Sequence, residues 1–283
     1  MSAAILLISC PDRKGITASI TNFIYQNNGN IEHADQHIDS ETNTFFMRIA
    51  WSLKGFNISP QDIPSEFMSL AKKFDMHWNL YFSTHMPKVA VFVSRHLHCF
   101  YDLLLKFKQN YFKGKLSLVV SNCKEVEDIA GNYGINFLYS PKTKGNKKEA
   151  EQRELEILKK NEIELLVLAR YMQIFSPEFA EFFSNRIINI HHSFLPAFAG
   201  GSPYRQAYER GVKIIGATSH YVTEELDSGP IIEQDITRVS HRDSLADLKI
   251  EGKELERVVL SRAVRWHLER KILVYGNKTV VFD

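Results

Sequence analysis

Only three cysteines, Cys10, Cys99 and Cys123, occur in 283 residues, and no two are spaced as a metal-ligating pair. They are too few and too scattered for a disulfide framework or a zinc knuckle, so a reducing compartment suits them best. No apolar run approaches the ~18 residues needed to span a bilayer. The apolar opening at 3–8 has no basic segment before it and is too short for a secretory signal. It is expected to be a strand, and the protein cytoplasmic. An excess of one charge is also missing: 35 Lys and Arg face 33 Asp and Glu, leaving a formal net charge of +2. Neither sign is blocked along the chain, so nothing favours nucleic acid or a membrane as partner. What is present is ordinary globular composition, 44% hydrophobic and 24% charged, which excludes a disordered or fibrous chain.

Hydrophobic periodicity divides the chain in two. Residues 3–10, 30–39, 44–52 and 78–83 read as strands. Residues 15–28 and 59–74 read as helices, with Ile16, Ile20, Phe23 and Ile24 on one face of the first and Phe67, Leu70, Ala71 and Phe74 on the second. The order βαββαβ is a ferredoxin-like unit. His85-Met86-Pro87 marks the expected boundary, giving domains at 1–84 and 85–283. Beyond it the runs 89–93, 116–120, 163–169 and 187–190 are nearly continuous in aliphatic residues, with helical segments at 101–108, 125–133 and 147–160 between them. Buried parallel strands joined by crossover helices produce that pattern. Strands at 214–222 and 230–236, a helix at 243–270 and a hairpin around Gly276-Asn277 complete an open, mostly parallel α/β sheet of about seven strands.

The segment 186–198 carries the most chemistry. A hydrophobic strand runs into Asn189, His191, His192 and Ser193 and breaks at Pro196. Catalytic groups in open α/β sheets gather at the carboxyl ends of strands. Alternation puts Asn189 and His191 on one face and turns His192 to the other. For one histidine alone, a polar residue closing a strand is the plainer reading; the cluster favours a site. Adjacent strand histidines diverge, and no His-x-x-x-His or cysteine pair lies near, so no metal is expected. A second segment, 216–232, reads strand, acidic loop, strand, with Asp227 before Ser228-Gly229-Pro230. Asp227 is either a turn former or the acid of the site.

Asn189-Ile-His191, followed by Leu226-Asp227-Ser-Gly-Pro230, resembles the Asn-x-His and Asp of the N10-formyltetrahydrofolate formyltransferase fold. The strings 168–174, 188–198 and 208–211, with the tail 263–280, resemble the formyltetrahydrofolate deformylase branch. Members of that branch begin with an ACT domain, and Ile8-Ser-Cys-Pro-Asp-Arg-Lys-Gly15, Ala34-Asp-Gln-His37 and Phe45-Phe-Met-Arg48 match it. The resemblance covers nearly the whole chain. One departure is Gly200-Gly-Ser-Pro-Tyr-Arg205, where the family is expected to carry Gly-Ala-Lys-Pro-Tyr-His or Gly-Ala-Asn-Pro-Tyr-His.

The resemblance implies hydrolysis of 10-formyltetrahydrofolate, supplying formate to one-carbon and purine metabolism, with folate as substrate and no cofactor. Asn189 would donate to the oxyanion, and His191 would be a second donor or the acid for the leaving N10. Asp227 would take the water's proton or orient His191. His220 is a weaker candidate. The pteridine is placed against Met172, Gln173, Ile174 and Phe175, with His192 and Ser193 beside it; apolar core is the plain alternative for Met172, Ile174 and Phe175. The basic stretch 142–148 reads as a solvated loop rather than a folate-tail site. In the ACT-like domain the helix start at Asp12 to Gly15, with Asn30 alongside, suits an amino-acid carboxylate. Methionine and glycine are the implied effectors, and open edge strands favour a homo-oligomer.

Two rivals come from other classes. A formyltransferase that takes glycinamide ribonucleotide needs a glycine-rich turn after its first strand to cradle a phosphate. Residues 94–100, Ser-Arg-His-Leu-His-Cys-Phe, contain no glycine, which leaves water as nucleophile. A non-catalytic folate- or amino-acid-binding regulator is disfavoured because all three catalytic positions are filled.

Overall fold

The computed structural model describes residues 2–197 and 203–283, which divide into two compact units. The first holds β1 (Ala3–Pro11), α1 (Ile16–Gln26), β2 (Asn30–Asp39), β3 (Thr44–Ser52), α2 (Ile63–Lys73) and β4 (His77–Phe82). These strands form one antiparallel sheet in the order β2-β3-β1-β4, as the βαββαβ pattern predicts. The fully buried Ile20 and Ile24 of α1, and Phe67 and Ala71 of α2, pack with Leu6, Ile8 and Trp51 into its core. The helix expected from 59 starts only at Ile63. Pro64 is tolerated in a first turn but would break a helix begun four residues earlier.

The second unit contains β5 (Lys88–Val93), α3 (His98–Lys108), β6 (Lys115–Ser121), α4 (Val126–Asn132), β7 (Asn136–Tyr139), α5 (Lys147–Lys160) and β8 (Leu165–Ala169). It continues with α6 (Pro177–Phe182), β9 (Ile187–His191), α7 (Pro203–Arg210), β10 (Ile214–Tyr221), β11 (Ile231–Arg238) and α8 (Leu245–Leu268). Seven strands lie in the order β11-β10-β9-β8-β5-β6-β7. Five are parallel, and β10 and β11 are antiparallel additions. The central β5 and β8 are buried along most of their length, which is why they read as unbroken aliphatic runs. Periodicity missed β7 because four residues at a half-exposed sheet edge show no pattern. The order reverses between β5 and β8, so the crevice at the carboxyl ends of these strands is where a ligand is expected to bind.

The last strands, β12 (Ile272–Tyr275) and β13 (Lys278–Val281), pair with each other. Residues 270–275 and 279–283 belong to the first unit, so the expected second domain, 85–283, gives up part of its tail. The cause is apolar burial: Leu273 and Phe282 close over Leu7 and Phe46 on the sheet face that α1 and α2 leave open.

Candidate active site

The strand β9 pairs with β10 so that Asn189 lies opposite His220 and His191 opposite Thr218. Asn189 and His191, two residues apart on one strand, share a face. Asp227 reaches that face from the loop after β10. The loop is pulled back where the Tyr221 N–H donates to the Pro230 carbonyl at 2.9 Å. Gly229 has no room for a side chain there, since a Cβ would lie 1.9 Å from the Tyr221 oxygen. Asp227 itself has a left-handed backbone, φ 55°. That conformation costs a non-glycine residue about 1 kcal/mol, with aspartate among the more tolerant.

The Asp227 carboxylate stands between two imidazoles. Its Oδ2 is 3.2 Å from His191 Nδ1, and its Oδ1 is 3.6 Å from His220 Nε2. The hydrogen bond from His191 holds the Asp227 carboxyl well below the usual carboxylate range. His220 Nδ1 donates to the Tyr221 carbonyl at 2.8 Å, because a carbonyl can only accept. In neutral His220 this leaves Nε2 as acceptor for the Asn189 amide, 3.2 Å away. The second amide hydrogen of Asn189 remains for a ligand. His191 Nε2 is buried and has no hydrogen-bond partner among the described residues.

These groups open on a cavity of about 370 Å³ that Met172, Gln173 and Ile174 also line. Met172 and Ile174 are 60% and 59% exposed, so they are free to wall a flat ring. Phe175 touches the cavity but is a core residue, stacked on Phe179 with centroids 4.1 Å apart. His192 lies differently from the alternation argument. The strand ends at His191, and His192 then lines this cavity with its ring centroid 5.2 Å from that of His191. Burial, and then the Arg170 charge, push its pKa down to about 4. Ser193 is not in this cavity. It is buried, donates to the Ala197 carbonyl at 2.9 Å and lines a neighbouring apolar hollow.

A second buried network adjoins the first, and sequence reasoning missed most of it. Glu256 of α8 is 1% exposed. His98 Nε2 lies 2.7 Å from its Oε2, Arg170 Nε lies 3.5 Å from the same oxygen, and Tyr204 Oη donates to Oε1 at 2.7 Å. Burial opposes ionisation of Glu256, yet His98, Arg170 and Tyr204 outweigh it and hold the carboxyl below its ordinary range. Gly252 permits this, since a Cβ there would meet the Tyr204 hydroxyl at 2.2 Å. Arg170 is left-handed, φ 59°. Cys99 lies within 4.8 Å of the ligand atoms of His98 and Glu256, but both Glu256 oxygens are engaged and burial pushes the thiol up. The available signal was an acid at 256 on the apolar face of α8, between Gly252 and Leu260.

Lys142 corrects the solvated-loop expectation. Its side chain is 2% exposed and forms an ion pair with Glu154 at 2.7 Å. It also lies 4.6 Å from the Phe175 ring centroid, and Glu151 Oε2 accepts from the Ser176 N–H at 3.1 Å. A buried charge cluster therefore underpins the 171–175 loop. In the first unit, Gly15 (φ 91°) opens α1 next to Asp12. Asn30 is not alongside: it pairs with Ser52, which pairs with Ala3, at the far end of β1 from Pro11. Further along β2, Gln36 accepts from Thr17 Oγ1 of α1 at 2.7 Å. Ser202 lies outside the described residues, and Arg205 is exposed on α7.

Residues 87–264 match the formyl transferase family and residues 4–50 the ACT domain. A formyltetrahydrofolate deformylase of Synechocystis sp. is 51% identical over 279 residues, covering 99% of this chain and 98% of the relative. The crystal structure of a formyltetrahydrofolate deformylase from Pseudomonas syringae pv. tomato superposes with a TM-score of 0.97 at 41% identity, covering 100% of this chain and 95% of the other. A glycinamide ribonucleotide transformylase from Symbiobacterium toebii superposes with a TM-score of 0.66 at 30% identity, covering 72% of this chain and 98% of its own. With both regions matched and that identity held over the full length, the chain belongs to the formyltetrahydrofolate deformylase family.

Proposed function

We propose that this chain hydrolyses 10-formyltetrahydrofolate to formate and tetrahydrofolate, so that formate enters one-carbon and purine metabolism. The observation that carries this reading is the Asp227–His191 pair beside the Asn189 amide at one cavity wall. Asp227 holds the Nδ1–H of His191, which leaves Nε2 as the lone-pair nitrogen. Nε2 takes a proton from water as the water oxygen bonds to the formyl carbon. Asn189 donates to the oxygen that becomes negative; removing such a donor costs roughly 100- to 1000-fold in rate. The carbon–N10 bond then breaks, and N10 receives the proton from His191. A carboxylate with so little proton affinity is a poor base, which favours the orienting role for Asp227. Met172, Gln173 and Ile174 face the pteridine, with His192 at the cavity edge.

Residues 1–84, with the tail segments 270–275 and 279–283 that belong to the same unit, form the effector-sensing part and the rest of 85–283 the hydrolytic part. Methionine and glycine are the proposed effectors at Asp12 and Gly15. Asn30 would take part only from another copy of the chain in a homo-oligomer. No described helix is long and apolar enough to cross a membrane. A cytoplasmic site of action and a reaction without a cofactor belong to the same reading. The deciding experiment is incubation of the purified chain with 10-formyltetrahydrofolate: formate and tetrahydrofolate should appear in equal amounts, and their absence would refute the proposal.

A further inference from the structure

We infer that the buried network of Arg170, Glu256, His98 and Tyr204 is the element that excludes amine acceptors from the formyl carbon and leaves water as nucleophile. This rests on the hydrolytic reading above. A transformylase of the same fold must admit an amine beside the carbon that a deformylase offers to water alone. The catalytic face is common ground for the two reactions, so the difference has to lie in what else borders the cavity.

Met172, Ile174, Asn189, His191 and Asp227 line that cavity. Arg170 and His192, from the carboxyl ends of β8 and β9, line it as well. The His192 ring is flanked by those of His191 and Tyr204, with centroids 5.2 and 5.9 Å away. Behind this layer Glu256 ties Arg170, His98 and Tyr204 together. His98 opens α3 after β5, where a phosphate-binding turn would need bare backbone.

Three features make this network a barrier. It is occupied, because the Arg170 guanidinium at the wall is paired with Glu256 and offers an incoming ammonium no acceptor. It is anchored, because Glu256 contacts three different elements and cannot release one side chain freely. And it is maintained against backbone preference, since at φ 59° glycine is the unstrained residue for position 170. Water, small and neutral, passes where an amine carrying a substituent does not. Discrimination by exclusion of the wrong partner is a general route to specificity.

The test uses the full chain, 10-formyltetrahydrofolate and glycinamide, a small primary amine, at increasing concentrations. Attack by the amine nitrogen would form a new carbon–nitrogen bond and break the bond to N10. N10 would gain the proton that the amine loses, giving N-formylglycinamide and tetrahydrofolate. The readout is the ratio of N-formylglycinamide to formate, which is independent of total turnover. The ratio should be near zero for the wild type and rise roughly tenfold or more in Arg170→Gly, whose backbone suits glycine. His98→Ala should raise it independently if Arg170→Gly fails to fold, and Arg170→Lys should keep it low. Folded variants that hydrolyse with the wild-type ratio would overturn the inference while leaving hydrolysis intact. A wild type that already formylates glycinamide would overturn it too. A wild type that releases no formate would instead refute the hydrolytic reading itself.

Discussion

The carboxylate of Asp227 reaches His191 with one oxygen, at 3.2 Å, and His220 with the other, at 3.6 Å. Two imidazoles from neighbouring antiparallel strands are thus referred to one acid from the loop that follows them. Since β9 and β10 place Asn189 opposite His220, the proposed oxyanion donor is tied into the same set at 3.2 Å. A change at any one of these residues therefore moves the others, and their substitutions will not be additive.

Asp227→Asn should lower hydrolysis by about 100-fold or more while leaving folate binding within a few-fold. The amide keeps the shape but cannot hold the His191 Nδ1–H as an anion does. Steady-state rates together with binding of a non-hydrolysable folate check this; a near-wild-type rate removes Asp227 from the mechanism. Its ionisation also leaves a mark on stability. A folded-state pKa below the unfolded value of ~3.9 contributes stability above that pH and loses it as the pH falls further. The stability difference between wild type and Asp227→Asn should accordingly shrink below about pH 4.

His192 titrates in the opposite sense from a histidine that has gained a carboxylate partner. Its folded pKa is pushed down to about 4, against ~6.5 when unfolded, so the unfolded chain takes up the extra proton between these values. Stability should fall as the pH drops from about 6.5 towards 4 and then level off. His192→Gln should flatten that part of the profile in urea unfolding; an unchanged slope would show that His192 is not its source.

Lys142→Met should destabilise the fold by about 3 kcal/mol, because it leaves Glu154 buried without its cation. Lys147, 41% exposed and 4.0 Å from Glu151, should tolerate the same change within about 0.5 kcal/mol. Denaturant midpoints compare the two directly. Equal effects would show that the buried pair is not the anchor of the 171–175 loop.

Glycinamide ribonucleotide should neither bind appreciably nor be formylated by the wild type. Residues 94–100 have no glycine, and α3 begins with His98 committed to Glu256. Mass spectrometry of the reaction mixture decides: formylglycinamide ribonucleotide at a rate comparable to formate release would reverse the assignment.

Methionine and glycine should alter the hydrolysis rate, and Asp12→Ala should flatten the response, with a coupling of roughly 1–3 kcal/mol lost. Rate measured against each amino acid for both proteins is the check. A response that survives in Asp12→Ala places the effector site elsewhere. Deleting 1–84 is a poorer test, because it would uncover Leu273 and Phe282 of the C-terminal tail.

The amino-acid sequence by itself determined the two-part organisation, the strand pairing of the first unit and the run Asn189 to His191 leading to Asp227. Those features rest on local quantities: period 2 or 3.6, apolar run length, and the turn chemistry of Ser228-Gly229-Pro230. Helix starts were less legible: the apolar pattern put α2 at 59, although Pro64 suits only the first turn of a helix that begins at Ile63. What tertiary structure decided are pairings between residues far apart in the chain. Lys142 looks like part of a basic loop until α5 brings Glu154 beneath it, and Arg170 has no evident role until α8 brings Glu256 within 3.5 Å. Asn30 and Gly15 flank the same helix in sequence, yet the antiparallel course of α1 and β2 puts them at opposite ends of the sheet. His192 shows the limit of periodicity most directly: alternation holds only while the strand lasts, and β9 ends one residue before it.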